Sequence, residues 1–339
     1  MERQKPWFDT KRQILGKVIP LNTPLSITLT PSSICNFKCN YCMQAANRHV
    51  ITSKGFKIEI MPWKTFLLCV DQIGKFPQKL KKIEFYGMGE PLCNPRLSEM
   101  VSHVKTADIC NTISVMTNGS LLTHQLSDNL IAAGTDEIRI SLQGLSSEKY
   151  SEIAGVNVDF EHLINEISYL HSIKGSCNLY VKIIESALTS KDKRYGRIKK
   201  IFKNISDSYS IEGLLPLFND VNYPETMNNR NTNKIKTRYG YSSTSRHICQ
   251  FQFYRFIVLT DGRVTACCDP LNAIYWGSIH NIKLIDMWNS SKRLKLLDLQ
   301  LKRKSYKNTL CRRCYMPNDI YSDSDDLEPY ADELLKRMN

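Results

Sequence analysis

The sequence predicts an α/β protein, a partial (β/α)6 TIM-like barrel followed by a small α+β module. Three observations carry that reading. Six strand-like runs precede residue 220, helical segments alternate with them as a parallel sheet requires, and a turn-centred hairpin follows a polar, aliphatic-poor stretch.

The strand-like runs are Leu25–Thr30, Lys81–Tyr86, Thr112–Thr117, Glu137–Leu142, Asn178–Ser186 and Ser210–Leu217. Between the first two, Pro62–Phe76 carries Trp63, Phe66, Leu67, Val70 and Ile73 at helical spacing. Thr123–Ala133 opens on a capping hydroxyl and stops at Gly134, and Asp159–Ile173 repeats the spacing with Phe160, Leu163, Ile164, Ile167 and Leu170. Asn219–Ser245 is rich in Asn, Thr, Arg, Ser and Tyr and reads as a linker or an ordered substrate loop. Beyond it, Phe251–Leu259 and Arg263–Cys267 flank the tight-turn pair Asp261-Gly262. Lys283–Leu301 reads as helix, with Leu284, Met287 and Trp288 on it, and the tail from Asp323 begins acidic and ends in an amphipathic pattern. The divisions are an N-terminal extension over 1–24, a core barrel over 25–220, a linker or substrate loop over 221–246, a second module over 247–318 and a C-terminal tail over 319–339.

Parallel strands covered on both faces read as continuous apolar runs, yet these alternate. Ser26, Thr28 and Thr30 share one face of the first strand, Glu84 and Tyr86 of the second, Arg139, Ser141 and Gln143 of the fourth, and Lys182 and Ser186 of the fifth. A barrel wide enough to hold ligands explains the pattern, with those residues pointing into its cavity. In the related eight-stranded architecture, active sites lie at the carboxyl ends of the strands.

With 339 residues and 42% hydrophobic content the chain can bury a core without staples. No apolar run approaches the ~20 residues of a membrane span, and the polar start Met1-Glu2-Arg3-Gln4-Lys5 lacks a signal-peptide apolar region, so a cytoplasmic location is expected. Twelve cysteines without a secretory signal point to metal ligands and reduced thiols. Seven fall into two spaced groups, and Cys69, Cys93, Cys110, Cys177 and Cys268 read as small buried hydrophobes. The formal charge of +13 concentrates at Lys191–Lys203 and Lys302–Arg313. A solvated surface is the plain reading; attraction of a phosphorylated or nucleotide-linked substrate, an acidic peptide or RNA is the alternative.

The segment Cys35-Asn36-Phe37-Lys38-Cys39-Asn40-Tyr41-Cys42 spaces three cysteines C-x3-C-x2-C directly after the first strand. Three thiolates can hold three irons of a cubane cluster and leave the fourth open to a ligand. Gly87-Met88-Gly89-Glu90-Pro91 follows the second strand, and Thr117-Asn118-Gly119-Ser120 ends the third. In that order, each at the carboxyl end of a successive strand, they resemble the signature of the radical S-adenosylmethionine (radical SAM) superfamily, with Met88 at the second-glycine position of its GGEP segment. Taken alone, the cysteines leave a structural zinc site open.

Cys249, Cys267, Cys311 and Cys314 form the second group, with Gly262 five positions before Cys267. With the hairpin, Gly277-Ser278-Ile279-His280 and Met287-Trp288-Asn289, they resemble the twitch module, a shortened SPASM domain in which four cysteines hold an auxiliary 4Fe-4S cluster. Four thiolates also suit a tetrahedral zinc. The glycine spacing selects Cys267 as ligand and leaves the adjacent Cys268 as a packed thiol or a reserve ligand.

The resemblance implies a core 4Fe-4S cluster on Cys35, Cys39 and Cys42 whose open iron binds S-adenosyl-L-methionine. Reductive cleavage of that cofactor then yields a 5'-deoxyadenosyl radical, which abstracts hydrogen from a C–H bond. It implies that Gly87, Met88, Gly89 and Glu90 receive the methionyl amino group, that Tyr41 packs near the adenine, that Ser141 and Gln143 approach the ribose or methionyl carboxylate, and that Asn118 borders the cofactor. Glu84, Tyr86, Arg139 and Lys182 are the candidates for catalysis or substrate contact from their place on the polar face. A Lys or Glu there can take a proton from a substrate radical, and a structural ion pair across the barrel is the alternative.

The implied activity is that of an oxidoreductase on a small polar substrate, a sugar or aminocyclitol that is phosphorylated or nucleotide-linked in one version, served by a reducing partner such as flavodoxin or ferredoxin. The arrangement resembles radical SAM aminocyclitol dehydrogenases. A ribosomal-peptide maturase is the second reading: it would form a thioether or carbon-carbon bond in a precursor peptide, or epimerise a residue with Cys268 or Cys93 returning the hydrogen. The third, from another class, is a non-catalytic cluster scaffold that binds RNA. Only about 24 residues precede the first strand, which favours a small molecule over a peptide. Neither a membrane nor a nucleic acid is a partner in the main reading.

Overall fold

The computed structural model describes residues 12–189, 192, 196–218, 220–221, 235–239, 242–243, 245–319 and 322–338. Most of the linker 221–246 and part of the basic run Lys191–Lys203 lie outside the described residues.

Six parallel strands form the core: β1 Ser26–Leu29, β2 Leu80–Phe85, β3 Cys110–Thr117, β4 Glu137–Leu142, β5 Asn178–Ile184 and β6 Ser208–Glu212. Helices α1 Trp63–Ile73, α2 Leu97–Ala107, α3 His124–Ala132, α4 Ser147–Ala154, α5 Phe160–Ile173 and α6 Arg197–Phe202 connect them. The expected caps operate, since Thr123 accepts from the Leu126 N–H and Asp159 from the His162 N–H. The sixth strand begins at Ser208 and ends at Glu212, earlier than expected.

Three further strands, β7 Arg255–Val258, β8 Arg263–Thr265 and β9 Tyr275–Ser278, extend the same sheet in the order β9-β8-β7-β1-β2-β3-β4-β5-β6. The second module is therefore joined edge to edge with the core: β7 pairs parallel with β1, and β8 and β9 continue antiparallel. This covers the edge of β1 that would otherwise present unpaired backbone groups. At the turn, Gly262 takes φ +81°, and a Cβ there would meet the His280 ring at 2.8 Å.

Two sequence expectations are corrected. The hairpin does not start at Phe251, because Phe251–Tyr254 is a single helical turn and extended structure begins at Arg255. An apolar run this short fits either state. The helix expected over Lys283–Leu301 is two helices, α7 Leu284–Trp288 and α8 Ser291–Leu301, because the Ser290 hydroxyl accepts from the Arg293 N–H and starts a new helix.

Register explains the alternating strands. Thr28, Glu84, Ser114 and Glu137 pair in sequence across β1 to β4, and Ser141, Lys182 and Ser210 across β4 to β6. All project to one face. The intervening Ile27, Ile83, Phe85, Val115, Ile138, Ile140, Val181 and Ile183 are fully buried on the other face in one apolar cluster, each contributing about 1.5–3 kcal/mol. One face is core and the other is free to build a site.

The two ends of the described chain share a second cluster, in which Leu15 and Ile19 pack with Phe253, Leu297, Leu327, Ala331 and Leu334. Arg337 in α9 Ala331–Met338 donates to the Gly16 and Ile19 carbonyls at 3.0 Å. Among the described residues no helix is long and apolar enough to cross a membrane.

Candidate functional site

The cysteine loop leaves β1 and is pinned from behind, where Lys38 and Asn40 donate backbone N–H bonds to the Ala154 and Ile153 carbonyls at 2.8 and 2.9 Å. Cys39 is buried, and Cys35 and Cys42 are half-buried. Burial pushes the Cys35 and Cys39 thiols up to about 12, and each faces the other and Cys42. Mutually facing buried sulfurs of this kind become thiolates at neutral pH when a cationic metal centre compensates them. An all-sulfur donor set fits iron-sulfur ligation. Among the described residues no three His, Cys, Asp or Glu side chains gather tightly enough to clasp a single metal ion.

The glycine segment packs directly on that loop. A Cβ at Gly89 would lie 2.4 Å from the Ser32 carbonyl oxygen and 2.6 Å from that of Ile34, and one at Gly87 would meet the Thr30 side chain at 2.5 Å. Met88 sits between them, with its side chain against the cluster formed by Met43, Phe56 and Phe218. Gln44, which sequence reasoning missed, donates its amide to the Met88 carbonyl and, at 3.0 Å, to that of Ser33.

Glu90 is placed differently from a residue that greets a ligand with its carboxylate. It is 3% exposed, and it accepts from the Thr117 hydroxyl (2.6 Å), the Leu92 N–H (3.0 Å) and the Asn118 N–H (2.7 Å). Burial raises its carboxyl to about 7 against these bonds, which pull it down. Asn118 in turn donates to Asn36 at 2.9 Å, and Asn36 donates to the Ser120 hydroxyl at 2.8 Å, so the cysteine loop and the end of β3 are joined through side chains.

Tyr41 and Gln143 are brought together: the phenol donates to the Gln143 amide oxygen. The Gln143 NH2 donates to the Ser141 carbonyl at 3.0 Å and lies 3.4 Å from its hydroxyl. Tyr41, Ser141 and Gln143 thus form one unit at the end of β4, beside the cysteine loop.

A cavity of about 470 Å3 opens on the polar face of the sheet. It is bounded by Gly87 and Met88 at one side and by Cys267 and Cys268 at another, with Glu84, Tyr86, Arg139 and Lys182 in its wall. All four substrate-contact candidates therefore reach the chamber. Arg139 is a bridge within it, 3.4 Å from Glu84 and 3.1 Å from Glu137, and Lys82 lies 2.7 Å from Glu137. Burial alone would raise the Glu137 carboxyl, but Lys82 and Arg139 outweigh it and hold it below the ordinary value. Lys182 has its ammonium lowered by burial, with Arg139 and Arg238 adding to the effect and Glu212 opposing it.

In the second cysteine group, Cys249 is buried and faces Cys314, Cys267, Cys268 and Cys311; burial pushes the Cys311 thiol up to about 12, and Cys314 is the exposed member of the set. Cys267 Sγ accepts from Gln252 Nε2 and the Ile274 N–H, both at 3.5 Å, and Cys311 Sγ from Gln300 Nε2 at 3.6 Å. Such donors suit charged sulfurs. Cys268 departs from the expectation of a packed hydrophobe: it lines the cavity and accepts from Arg255 Nη2 at 2.7 Å. Arg255, also unforeseen from sequence, is held over the Phe251 ring at 3.8 Å and lies 3.4 Å from the Tyr86 hydroxyl.

The family model described as the radical SAM superfamily matches residues 29–185, and that described as an iron-sulfur cluster-binding domain (SPASM) matches residues 249–315. The chain is 25% identical over 295 residues to the tungsten-containing aldehyde ferredoxin oxidoreductase cofactor-modifying protein of Pyrococcus furiosus, covering 77% of this chain and 80% of that protein. It is 33% identical over 127 residues to the GTP 3',8-cyclase of Chlorobaculum tepidum, an alignment that spans 38% of this chain and 35% of the cyclase. Among solved structures, BtrN in complex with AdoMet and 2-DOIA superposes with a TM-score of 0.54 at 16% identity, covering 86% of this chain and 92% of BtrN. SuiB of Streptococcus suis bound to its precursor peptide SuiA gives 0.60 at 16% identity, covering 91% and 77%. These structural likenesses are of fold.

Proposed function

The chain belongs to the radical SAM superfamily and carries an SPASM-type auxiliary iron-sulfur domain, and from that premise we propose that it is an oxidoreductase removing hydrogen from a hydroxyl-bearing carbon of a small polar molecule, a sugar or cyclitol. One observation carries this reading: a single cavity of about 470 Å3 reaches from Gly87 and Met88 to Cys267 and Cys268. Its volume is that of a small-ligand pocket.

Cys35, Cys39 and Cys42 would hold the core cluster, and Cys249, Cys267, Cys311 and Cys314 the auxiliary one. When bound, S-adenosyl-L-methionine on the core cluster supplies a 5'-deoxyadenosyl radical that takes a hydrogen atom, and the auxiliary cluster supplies an acceptor for the second electron. The protein's own work is placement. The backbone carbonyls of the Gly87–Gly89 loop would receive the methionyl amino group, while Glu90 shapes the loop through Thr117, Leu92 and Asn118. Tyr41, Ser141 and Gln143 would border the nucleoside. Glu84, oriented by Arg139 at 3.4 Å, is the group assigned to accept the hydroxyl proton.

The test is anaerobic incubation of the reduced, reconstituted protein with S-adenosyl-L-methionine and ring-deuterated sugars and cyclitols. Deuterium in 5'-deoxyadenosine, matched by a ketone product, is expected. Deuterium drawn from a peptide and from no polyol would transfer the reading to peptide maturation.

A further inference from the structure

We propose that this cavity is built for an acid-bearing substrate, whose carboxylate or phosphate group is held by Lys182. The inference rests on the reading of the cavity as the substrate chamber and narrows what it takes.

The charge balance of the wall is the first observation. Among the described residues, seven cationic side chains line the cavity against three carboxylates, Glu84, Glu212 and Asp325. Most of the cations have their charge answered inside the protein. Lys82 and Arg139 share Glu137, Arg139 also faces Glu84, Arg238 lies 2.6 Å from Asp319, and Arg12 pairs with Asp325.

Of the other three, Lys81 donates to the Gln13 amide oxygen and Arg255 to Cys268 Sγ, which leaves Lys182. Among the described residues its ammonium makes no hydrogen bond and no ion pair, although strand register sets it beside Ser141 and Ser210 on the cavity face. Glu212, the carboxylate that acts on it most, is engaged elsewhere: it accepts from the Tyr180 hydroxyl at 2.9 Å and lies 3.3 Å from the Ser210 hydroxyl. Lys182 is half-buried and lines the cavity, and a cation that has lost part of its water without gaining a partner is disfavoured. Burial lowers the Lys182 ammonium accordingly. An oxyanion entering the chamber would supply the missing charge through hydrogen bonds to a charged donor, which are about twice as strong as neutral ones.

The same wall disfavours an amino-substituted ring. A protonated amine would meet the Lys182 ammonium and a wall with more cations than carboxylates, and like charges repel. Among sugar-like molecules, the acid-substituted ones are therefore selected over both the neutral and the amino-substituted ones.

Saturation-transfer NMR on the anaerobic holoenzyme tests this with four probes: glucuronate, glucose 6-phosphate, glucose and glucosamine. Expected is tighter binding of at least one acid than of glucose and glucosamine by about tenfold, the worth of one charged hydrogen bond. That gap should vanish in Lys182→Met and largely survive in Lys182→Arg, with thermal melting confirming that both variants fold. Preference for glucuronate alone identifies a carboxylate site, for glucose 6-phosphate alone a phosphate site. Equal binding of acidic and neutral probes, failure of both acids to bind, or an undiminished gap in Lys182→Met would overturn it. Uncoupled cleavage of S-adenosyl-L-methionine, measured on the same preparations, separates the two claims. Cleavage without acid preference removes the anion site and leaves the redox reading, whereas acid preference without cleavage does the reverse.

Discussion

The Thr117 hydroxyl donates to Glu90 Oε1 at 2.6 Å, and this bond locks the glycine loop after β2 to the end of β3. Glu90→Gln keeps the shape and leaves one of the backbone N–H groups of Leu92 and Asn118 without an acceptor, at a cost of about 1–3 kcal/mol. The wild-type pH profile carries its own signature. Burial raises the Glu90 carboxyl from 4.5 to about 7, so the folded state holds this proton where the unfolded state has lost it. The contribution of this group therefore falls as pH rises from 4.5 toward 7 and then levels. Denaturant melts across that window should show the decline in wild type and not in Glu90→Gln.

Tyr41→Phe removes the donor to the Gln143 amide oxygen inside a side chain only 3% exposed. A loss of about 1–3 kcal/mol is predicted. Tyr41→Phe combined with Gln143→Leu should cost less than the sum of the single changes, because no buried amide is then left unpaired. A double-mutant cycle by urea unfolding measures the coupling.

Much of the site was legible in sequence. Strand ends and glycine motifs follow from short-range patterns, and the alternation of Thr28, Glu84, Arg139 and Lys182 with buried aliphatics marked the cavity face. The supporting residues were not legible. Gln44, Asn36 and Arg255 are single polar positions with no period, and their partners lie 44, 82 and 169 residues away in Met88, Asn118 and Tyr86. The packing of Leu15 and Ile19 on Leu327, Ala331 and Leu334 was invisible for the same reason, since nothing local specifies a contact between the two ends.

Cys267 and Cys268 should separate cleanly. Cys267 Sγ receives two N–H donors whereas Cys268 Sγ receives the Arg255 guanidinium at the cavity wall. Cys267→Ala is expected to lose about half the iron, one cluster of two, and Cys268→Ala to keep it. Iron analysis with electron paramagnetic resonance of the reduced proteins distinguishes them.

Arg139→Leu strips Glu84 and Glu137 of a shared partner and leaves Glu137 with Lys82 alone. Breaking a buried pair costs about 3–5 kcal/mol, and the remaining lysine puts this change at the lower end. Because Glu137 is held below its ordinary value, the stabilisation is present at neutral pH and is lost as pH falls through the folded-state pKa. The gap between wild type and Arg139→Leu in urea unfolding should be widest near neutral pH and shrink in acid.

The most direct measurement is iron and sulfide content of the anaerobically reconstituted protein, in wild type and in the Cys35→Ala, Cys39→Ala, Cys42→Ala triple variant. Two four-iron clusters predict about eight irons falling to about four, with cleavage of S-adenosyl-L-methionine abolished in the variant. About four irons falling to none would contradict an auxiliary redox centre facing the cavity, and with it the proposed dehydrogenation.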